Sequence, residues 1–167
     1  MPRPTDQLYQ KFRDNLNHSH QEVIIKFFLS FSRFEFLLKF NDFITAEGLV
    51  NWNDFTKNCK TKYVTWQNKG IKQELENAIK YIQTNPPKKL IKNDGQYIWQ
   101  DIIRTNIDRL EILTLNIRTI RNNLFHGNKS LNTDNGRDKE LLESSLLILD
   151  DLICFLNGEL DFVEESI

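Results

Sequence analysis

The sequence predicts an all-α protein, an up-down bundle of four main helices with shorter helices between them. Its long stretches place apolar residues at alternating steps of three and four, the repeat of a helix that buries one face. Glycine (6) and proline (4) are sparse among the 167 residues, which disfavours turn-rich β structure. A chain that is 40% hydrophobic and 27% charged is typical of a globular protein. We therefore expect residues 1–167 to form a single domain.

The N-terminal part of the chain predicts two helices. Thr5–Asn17 predicts a short helix with apolar residues at helical spacing, namely Leu8, Phe12 and Leu16. Ser19–Glu22 has the form of a capping box, with a hydroxyl at the N-cap and a carboxylate three residues later. The second helix should run from there to about Phe40, and its apolar stripe is Ile24, Phe27, Phe28, Phe31, Phe34 and Leu38. Glu35 falls on that stripe, where a carboxylate is costly unless a donor meets it.

Residues 41–95 have a weaker pattern and predict a basic, partly irregular insertion in the same domain. A lysine-rich helix is expected from Ile71 to Tyr81, and it stops before Asn85-Pro86-Pro87 because proline disfavours helical geometry and lacks a donor. Lys88–Gly95 then forms a basic connection. The insertion carries irregularly spaced aromatic residues: Trp52, Phe55, Tyr63 and Trp66. Packing is one role for these rings and for Tyr97 and Trp99; stacking on bases is the other.

The C-terminal part predicts two more long helices. The third main helix should run from about Tyr97 to Phe125, with the stripe Ile103, Leu110, Leu113, Ile117, Ile120 and Leu124. Gly127 is placed to end this helix in the left-handed conformation. The last helix should run from Arg137 to about Asn157, just before Gly158, with the stripe Leu142, Leu146, Leu149, Ile153 and Leu156. Consecutive helices of this kind are expected to pack antiparallel.

Charge is distributed unevenly although the net charge is only −1. From Lys57 to Lys92 nine lysines face two glutamates, which gives 9 − 2 = +7. From Asp134 to Ile167 ten acidic residues face two basic ones, which gives 2 − 10 = −8. A basic middle and an acidic tail can guide a polyanion to one side of the molecule. Solvated helix faces are the alternative interpretation of the same charges.

Several classes of site are not indicated. Cys59 and Cys154 have no short-spaced partner, so we expect free thiols in a reducing compartment. His18 and His20 are expected to be surface residues rather than metal ligands, because no cysteine or acidic cluster completes a site. We expect no metal and no cofactor. The N-terminus lacks the apolar core of a signal peptide and no apolar run approaches ~18 residues, so a cytoplasmic protein without membrane contact is expected.

The end of the third helix gathers groups that suit phosphate chemistry. Arg121 presents a fixed fork of donors to phosphate oxygens, and His126 can move a proton near neutral pH. The two residues are about 140° apart on a regular helix, so they converge only if the helix ends or distorts between them. Asn122 is one helical turn from His126 and could orient the ring or contact a substrate. Capping or solvated groups are the alternative interpretation.

Arg121–Lys129 resembles the Arg-four-residues-His motif of the HEPN superfamily, in the form found in prokaryotic toxin and defence proteins. The polar Asn122 directly after the arginine also fits that motif. The resemblance covers most of the chain and is most specific in the third and last helices. It extends to three further segments: Ser32–Glu35, Pro86–Lys89 and Arg137–Leu142.

The resemblance implies a four-helix-type bundle that dimerises and places two Arg/His pairs in one cleft. Many family members are metal-independent endoribonucleases, and others lost the motif and only bind. It implies that Arg121, His126 and Asn122 form the catalytic set. Some HEPN toxins carry a tyrosine two residues after the histidine that a partner nucleotidyltransferase modifies; Asn128 stands there in this chain. The apolar faces near Ile117 and Leu124 could contribute to the dimer contact.

The expected chemistry is RNA cleavage to a 2′,3′-cyclic phosphate and a 5′-hydroxyl. It needs a base, an acid and positive charge on the phosphate, and two histidines with two arginines are enough. Glu35 is expected to orient Arg121 or, second, Arg118, unless it is simply a satisfied buried acid. The residues expected to bind RNA are Lys88, Lys89 and Lys129.

We therefore expect an endoribonuclease of a toxin–antitoxin or antiphage system, with a possible cognate antitoxin or regulatory protein. The alternatives are a non-catalytic HEPN module that binds RNA, a nucleotide or a protein, and a purely structural dimerisation domain.

Overall fold

The computed structural model describes residues 3–15, 18–102, 107–125 and 136–159. In these ranges the chain is mostly helical, as predicted, and also contains one small sheet. The helices are α1 (Pro4–Asn15), α2 (His18–Phe40), α3 (Trp52–Asn68), α4 (Gln73–Thr84), α5 (Arg109–Phe125) and α6 (Gly136–Glu159). The strands are β1 (Lys89–Asn93) and β2 (Gln96–Gln100), which pair antiparallel. Among the described residues, no helix combines the length and the apolar composition that a membrane span needs.

Helix α2 buries nearly the whole stripe predicted for it. All of the predicted stripe residues are buried except Phe28, which is partly buried, and Leu37 joins them. The helix begins at His18, one residue before the expected N-cap Ser19. The expectation that His20 is a surface residue is wrong: it is buried. Its position explains this, because a residue four before Ile24 lies on the same face of the helix.

Residues 41–95 are more regular than predicted, because they contain helix α3. Four of its buried residues follow one another at steps of four: Phe55, Cys59, Tyr63 and Gln67. The predicted aromatic spacing looked irregular because Cys59, a small apolar residue that is commonly buried, fills the gap between Phe55 and Tyr63. Phe55 and Tyr63 are fully buried in the core. The segment is therefore a structural part of the bundle.

Side-chain hydrogen bonds join α3 to α6. The Tyr63 hydroxyl donates to Oδ2 of Asp151 at 2.8 Å, and Trp66 Nε1 donates to Oδ1 of the same carboxylate at 3.0 Å. Gln67 Nε2 donates to the Tyr63 hydroxyl at 2.8 Å. Burial and the neighbouring Asp151 raise the pKa of Tyr63, so its hydroxyl keeps the proton that it donates.

A β-hairpin replaces the first part of the predicted third helix. Residues 96–100 form β2, and α5 begins only at Arg109, so the expected helix start at Tyr97 is wrong. Asp94 and Gly95 connect the strands with positive φ angles of 46° and 80°. A two-residue turn of this hand matches the twist of antiparallel strands, and Asp-Gly is one of its preferred sequences. Lys88–Gly95 is thus mostly a strand and a turn rather than a loose connection.

The C-terminal helices complete the core. The described stripe residues of α5, from Leu110 to Leu124, are buried, whereas Ile103 lies outside the described residues. Ile117 and Leu124 belong to this core, so their side chains are not at the surface where a dimer contact would form. Helix α6 packs against α2 and α4, and α3 packs against α5. Gly158 lies inside α6 rather than beyond it, and a Cβ there would be 3.2 Å from Cζ3 of Trp66.

Candidate functional site

Two arginines of α5 lie on aromatic rings contributed by α2 and α3. Cζ of Arg118 is 4.7 Å from the centroid of the Trp52 ring. Cζ of Arg121 is 5.7 Å from the centroid of the Phe31 ring. The two rings stack on each other with centroids 6.2 Å apart. Because guanidinium groups are attracted to ring faces, this guanidinium layer holds two positive charges in fixed positions.

Glu35 acts on this layer through Arg118. It lies one helical turn after Phe31 on α2 and is half-buried. Burial lowers the pKa of the Arg118 guanidinium, and the negative charge of Glu35 acts in the opposite direction. The sequence favours Arg121 as the partner of Glu35, with Arg118 second. The charge of Glu35 raises the pKa of Arg118, whereas Arg121 contacts Phe31 and Asn122.

The two asparagines after Arg121 have different roles. Nη1 of Arg121 donates to Oδ1 of Asn122 at 3.2 Å, and Asn122 is otherwise exposed. Nδ2 of Asn123 donates to the backbone oxygen of Lys88 at 2.8 Å. Asn123 therefore joins the end of α5 to the start of the hairpin. Sequence reasoning did not assign Asn123 a role, because its partner is 35 residues away in the chain.

An open groove of about 530 Å³ lies beside the guanidinium layer, between α5 and the hairpin. Its lining residues are Lys89, Leu90, Ile102, Leu115, Arg118, Thr119, Asn122 and Asn123. The groove thus brings together Arg118, Asn122 and Lys89 of the expected site residues. Lys88 is engaged at the base of the hairpin, with Nζ 3.3 Å from Oδ1 of Asp101. Cationic and amide groups around one groove can bind phosphate and sugar oxygens.

His126 and Lys129 lie outside the described residues, and so do Gly127 and Asn128. The structure therefore describes the arginines of the candidate site but not its histidine. Among the described residues, no group of three or more His, Cys, Asp or Glu side chains is placed to hold a metal ion.

A second cavity, of about 410 Å³, opens between the α3–α4 connection and α6. Trp66, Leu75, Asp150 and Asp151 are among its lining residues. Burial raises the pKa of Asp150 there. None of the residues expected to act in catalysis or to bind RNA phosphates lines this cavity, and it shares no lining residue with the groove beside Arg118.

The hairpin adds exposed aromatic residues that sequence reasoning mentioned only as possible packing or stacking groups. Tyr97 is 70% exposed and Trp99 is 36% exposed. The Asp94-Gly95 pair between two short apolar-containing runs was the signal that could have located the hairpin.

No family model matches this chain, and no curated protein or solved structure matches it either.

Proposed function

We propose that this protein is a metal-independent endoribonuclease of the HEPN superfamily, acting in the cytoplasm as a homodimer within a toxin–antitoxin or antiphage system. The observation that carries the proposal is the guanidinium layer beside the groove. It supports a phosphate site because Arg118 and Lys89 line the same groove as the amide of Asn122. Arg121, the first residue of the Arg-four-residues-His motif, is held on the Phe31 ring in the same layer.

In this proposal Arg121 neutralises the phosphate as negative charge develops in the transition state. His126 moves the protons, and the second copy supplies the second histidine that acid and base roles require. Attack by the 2′-oxygen on the adjacent phosphorus forms the cyclic phosphate, and the 5′-oxygen leaves with a proton. Water is not consumed in this step. A cognate antitoxin or regulatory protein would cover the groove or the dimer contact.

The second candidate is a HEPN module that binds RNA, a nucleotide or a protein without cleaving. One observation favours it: the groove assembles its cationic and amide groups from described residues that need no histidine to bind a phosphate. The two candidates therefore differ in what His126 contributes.

Purified protein incubated with total RNA and a chelator separates them. The first proposal expects fragments that end in 2′,3′-cyclic phosphate and begin with a 5′-hydroxyl. His126→Ala should abolish cleavage while the circular dichroism of the folded chain stays the same. His18→Ala is the matched control, because His18 is exposed at the start of α2. An inert wild type that still binds RNA would favour the binding module, and a fully active His126→Ala would exclude the proposed mechanism.

A further inference from the structure

The β1–β2 hairpin presents aromatic and basic side chains to solvent. Strand β2 is exposed along its whole length, including Tyr97 and Trp99. A two-stranded hairpin gains little stability from a ring that remains in water. The Tyr97 ring, 70% exposed, is therefore better explained by a ligand than by folding, and Trp99, 36% exposed, lies two residues away on the same strand.

The register of the hairpin puts these rings and a lysine on one face. Trp99 pairs with Leu90 and Tyr97 pairs with Lys92. Residues opposite each other in an antiparallel pair share a face, and so do residues two apart in a strand. Nζ of Lys92 is 5.9 Å from the centroid of the Tyr97 ring. The face thus carries two flat rings with a positive charge beside one of them, the kinds of group that bind bases and phosphates of an unpaired strand.

The first strand of the hairpin reaches the groove that Arg118 lines. Leu90, which pairs with Trp99, is one of the residues that line the groove with Arg118. The hydrogen bond from Asn123 to Lys88 fixes the first strand to the end of α5. The ion pair between Lys88 and Asp101 closes the base of the hairpin. The rings are therefore held at one side of the groove rather than on a separate part of the surface.

We infer that the hairpin is a stacking arm for single-stranded RNA. Unpaired bases stack on Tyr97 and Trp99, Lys92 meets a phosphate beside Tyr97, and the RNA strand continues past Leu90 to Arg118. Duplex RNA is disfavoured because its bases are already stacked inside the helix and cannot reach the rings. The inference rests on the proposed function in that it names the substrate class of the same groove.

Binding is measured on the full chain carrying His126→Ala, so that the RNA stays intact, by fluorescence anisotropy of a short unstructured RNA in a chelator. Tyr97→Ala and Trp99→Ala should each weaken binding about tenfold, a typical cost of losing one stacked base. Tyr97→Phe should bind like the parent because the ring remains. Tyr9→Ala is the matched control, since Tyr9 lies on α1 and is 63% exposed against 70% for Tyr97. A duplex of the same sequence should bind more weakly.

Lys92→Gln provides a second test of RNA binding, one that leaves both rings in place. It should lower the slope of log affinity against log salt by roughly one, as expected for one lost phosphate contact. Unfolding curves of each variant verify that the fold is kept.

The stacking arm is overturned if the parent binds the RNA and both ring variants bind as tightly, or if duplex RNA binds equally well. It is also overturned if the ring variants turn a dimer into a monomer without changing RNA affinity, since the face would then be a contact between copies. Cleavage is assayed separately with His126 restored. Binding that depends on the rings, without cleavage, would exclude the nuclease and support the stacking arm. Cleavage at the same rate in the ring variants would support the nuclease and exclude the stacking arm.

Discussion

The guanidinium of Arg118 lies over the indole of Trp52, with Cζ 4.7 Å from the ring centroid. Burial lowers the pKa of this arginine, but a guanidinium is so strong a base that it remains charged at neutral pH. The ring therefore fixes the direction of a permanent positive charge at the wall of the groove. Trp52 is part of the site through this contact, although it also packs against the core.

Replacing Trp52 should separate positioning from packing. Trp52→Leu keeps an apolar side chain but removes the ring face, and a partly desolvated cation–π contact is worth on the order of 1 kcal/mol. We expect kcat/KM for RNA cleavage to fall about fivefold to tenfold. Trp52→Phe should retain most activity because it keeps a ring. Equal activity of the Leu and Phe variants, at equal unfolding temperature, would show that the ring face does not position Arg118.

Arg121→Ala should reduce cleavage by about two orders of magnitude or more, because it removes a charged contact to the phosphate in the transition state. The fold should persist, since the buried stripe of α5 keeps all of its apolar side chains. Arg13→Ala is the control for loss of an arginine, because Arg13 is exposed in the last turn of α1. Single-turnover cleavage rates measure the effect. A rate within threefold of wild type, roughly 0.7 kcal/mol, would remove Arg121 from the mechanism.

Glu35→Gln should lower activity more than stability. The amide keeps the volume but removes the charge that opposes the lowering of the Arg118 pKa. Glu35→Ala should lower both, because it also removes packing volume from a half-buried position. Glu22→Gln is the control on the same helix, where the carboxylate pairs with Lys26 at 2.8 Å on the surface. Cleavage rates and thermal unfolding of the three variants test whether Glu35 positions Arg118. A Glu35→Gln variant that loses stability but no activity would contradict this role.

The proposed dimer requires a surface other than Ile117 and Leu124. Helix α2 has an exposed apolar stripe opposite its buried face, formed by Ile25, Leu29, Phe36 and Phe40. These residues fall within about 60° of one another around the helix axis. Such a stripe can form an isologous contact in which the same face of each copy meets its counterpart. We expect it to be the dimer surface.

Leu29→Glu should therefore convert the dimer to an inactive monomer, as measured by sedimentation equilibrium at micromolar protein. Leu8→Glu on α1 is the control, because Leu8 is 57% exposed and Leu29 is 67% exposed. An active monomeric wild type would end the composite-site hypothesis. A dimer that survives Leu29→Glu would place the contact elsewhere.

Stability at alkaline pH should depend on Tyr63. Its pKa is raised in the folded chain by burial and by Asp151, so the folded state keeps the proton longer than the unfolded state does. The contribution is complete below the ordinary tyrosine pKa of about 10 and is lost as the pH rises above it. Chemical denaturation should show that the free energy of unfolding falls more steeply above about pH 10 for wild type than for Tyr63→Phe. Tyr9→Phe, at an exposed position, should keep the wild-type slope; equal slopes for all three would contradict the assignment.

Long apolar stripes were predicted well because burial of one helix face leaves a repeat of three and four. The ends of α2 and α6 follow that repeat to within one or two residues of the expected bounds. Helix α3 was not predicted because its repeat passes through Cys59 and Gln67, residue types that a search for large apolar side chains omits. The hairpin was missed because its two strands are only five residues long, too short for an alternating pattern to stand out.

Sequence patterns named candidate site residues, whose roles stay a prediction, but they did not indicate the contacts of those residues. Arg118, Arg121 and Asn122 were identified from the end of the third helix. The rings beneath the guanidinium groups come from other elements, and long-range pairings of this kind leave no periodic signal in the chain. Asn123 shows the same limit, since only the folded chain brings its amide to the backbone of Lys88.

The two ends of the hairpin meet in space. Lys89 pairs with Gln100, so the strand ends are neighbouring partners in the ladder, about 5 Å apart. A segment whose entry and exit lie together can be lengthened, exchanged or removed with a small change in loop-closure entropy. Helix α3 lacks this freedom because Tyr63 and Trp66 share the Asp151 carboxylate with α6. Variation in this lineage, and engineering of new RNA preferences, should therefore concentrate in the hairpin while α3 stays constant in length.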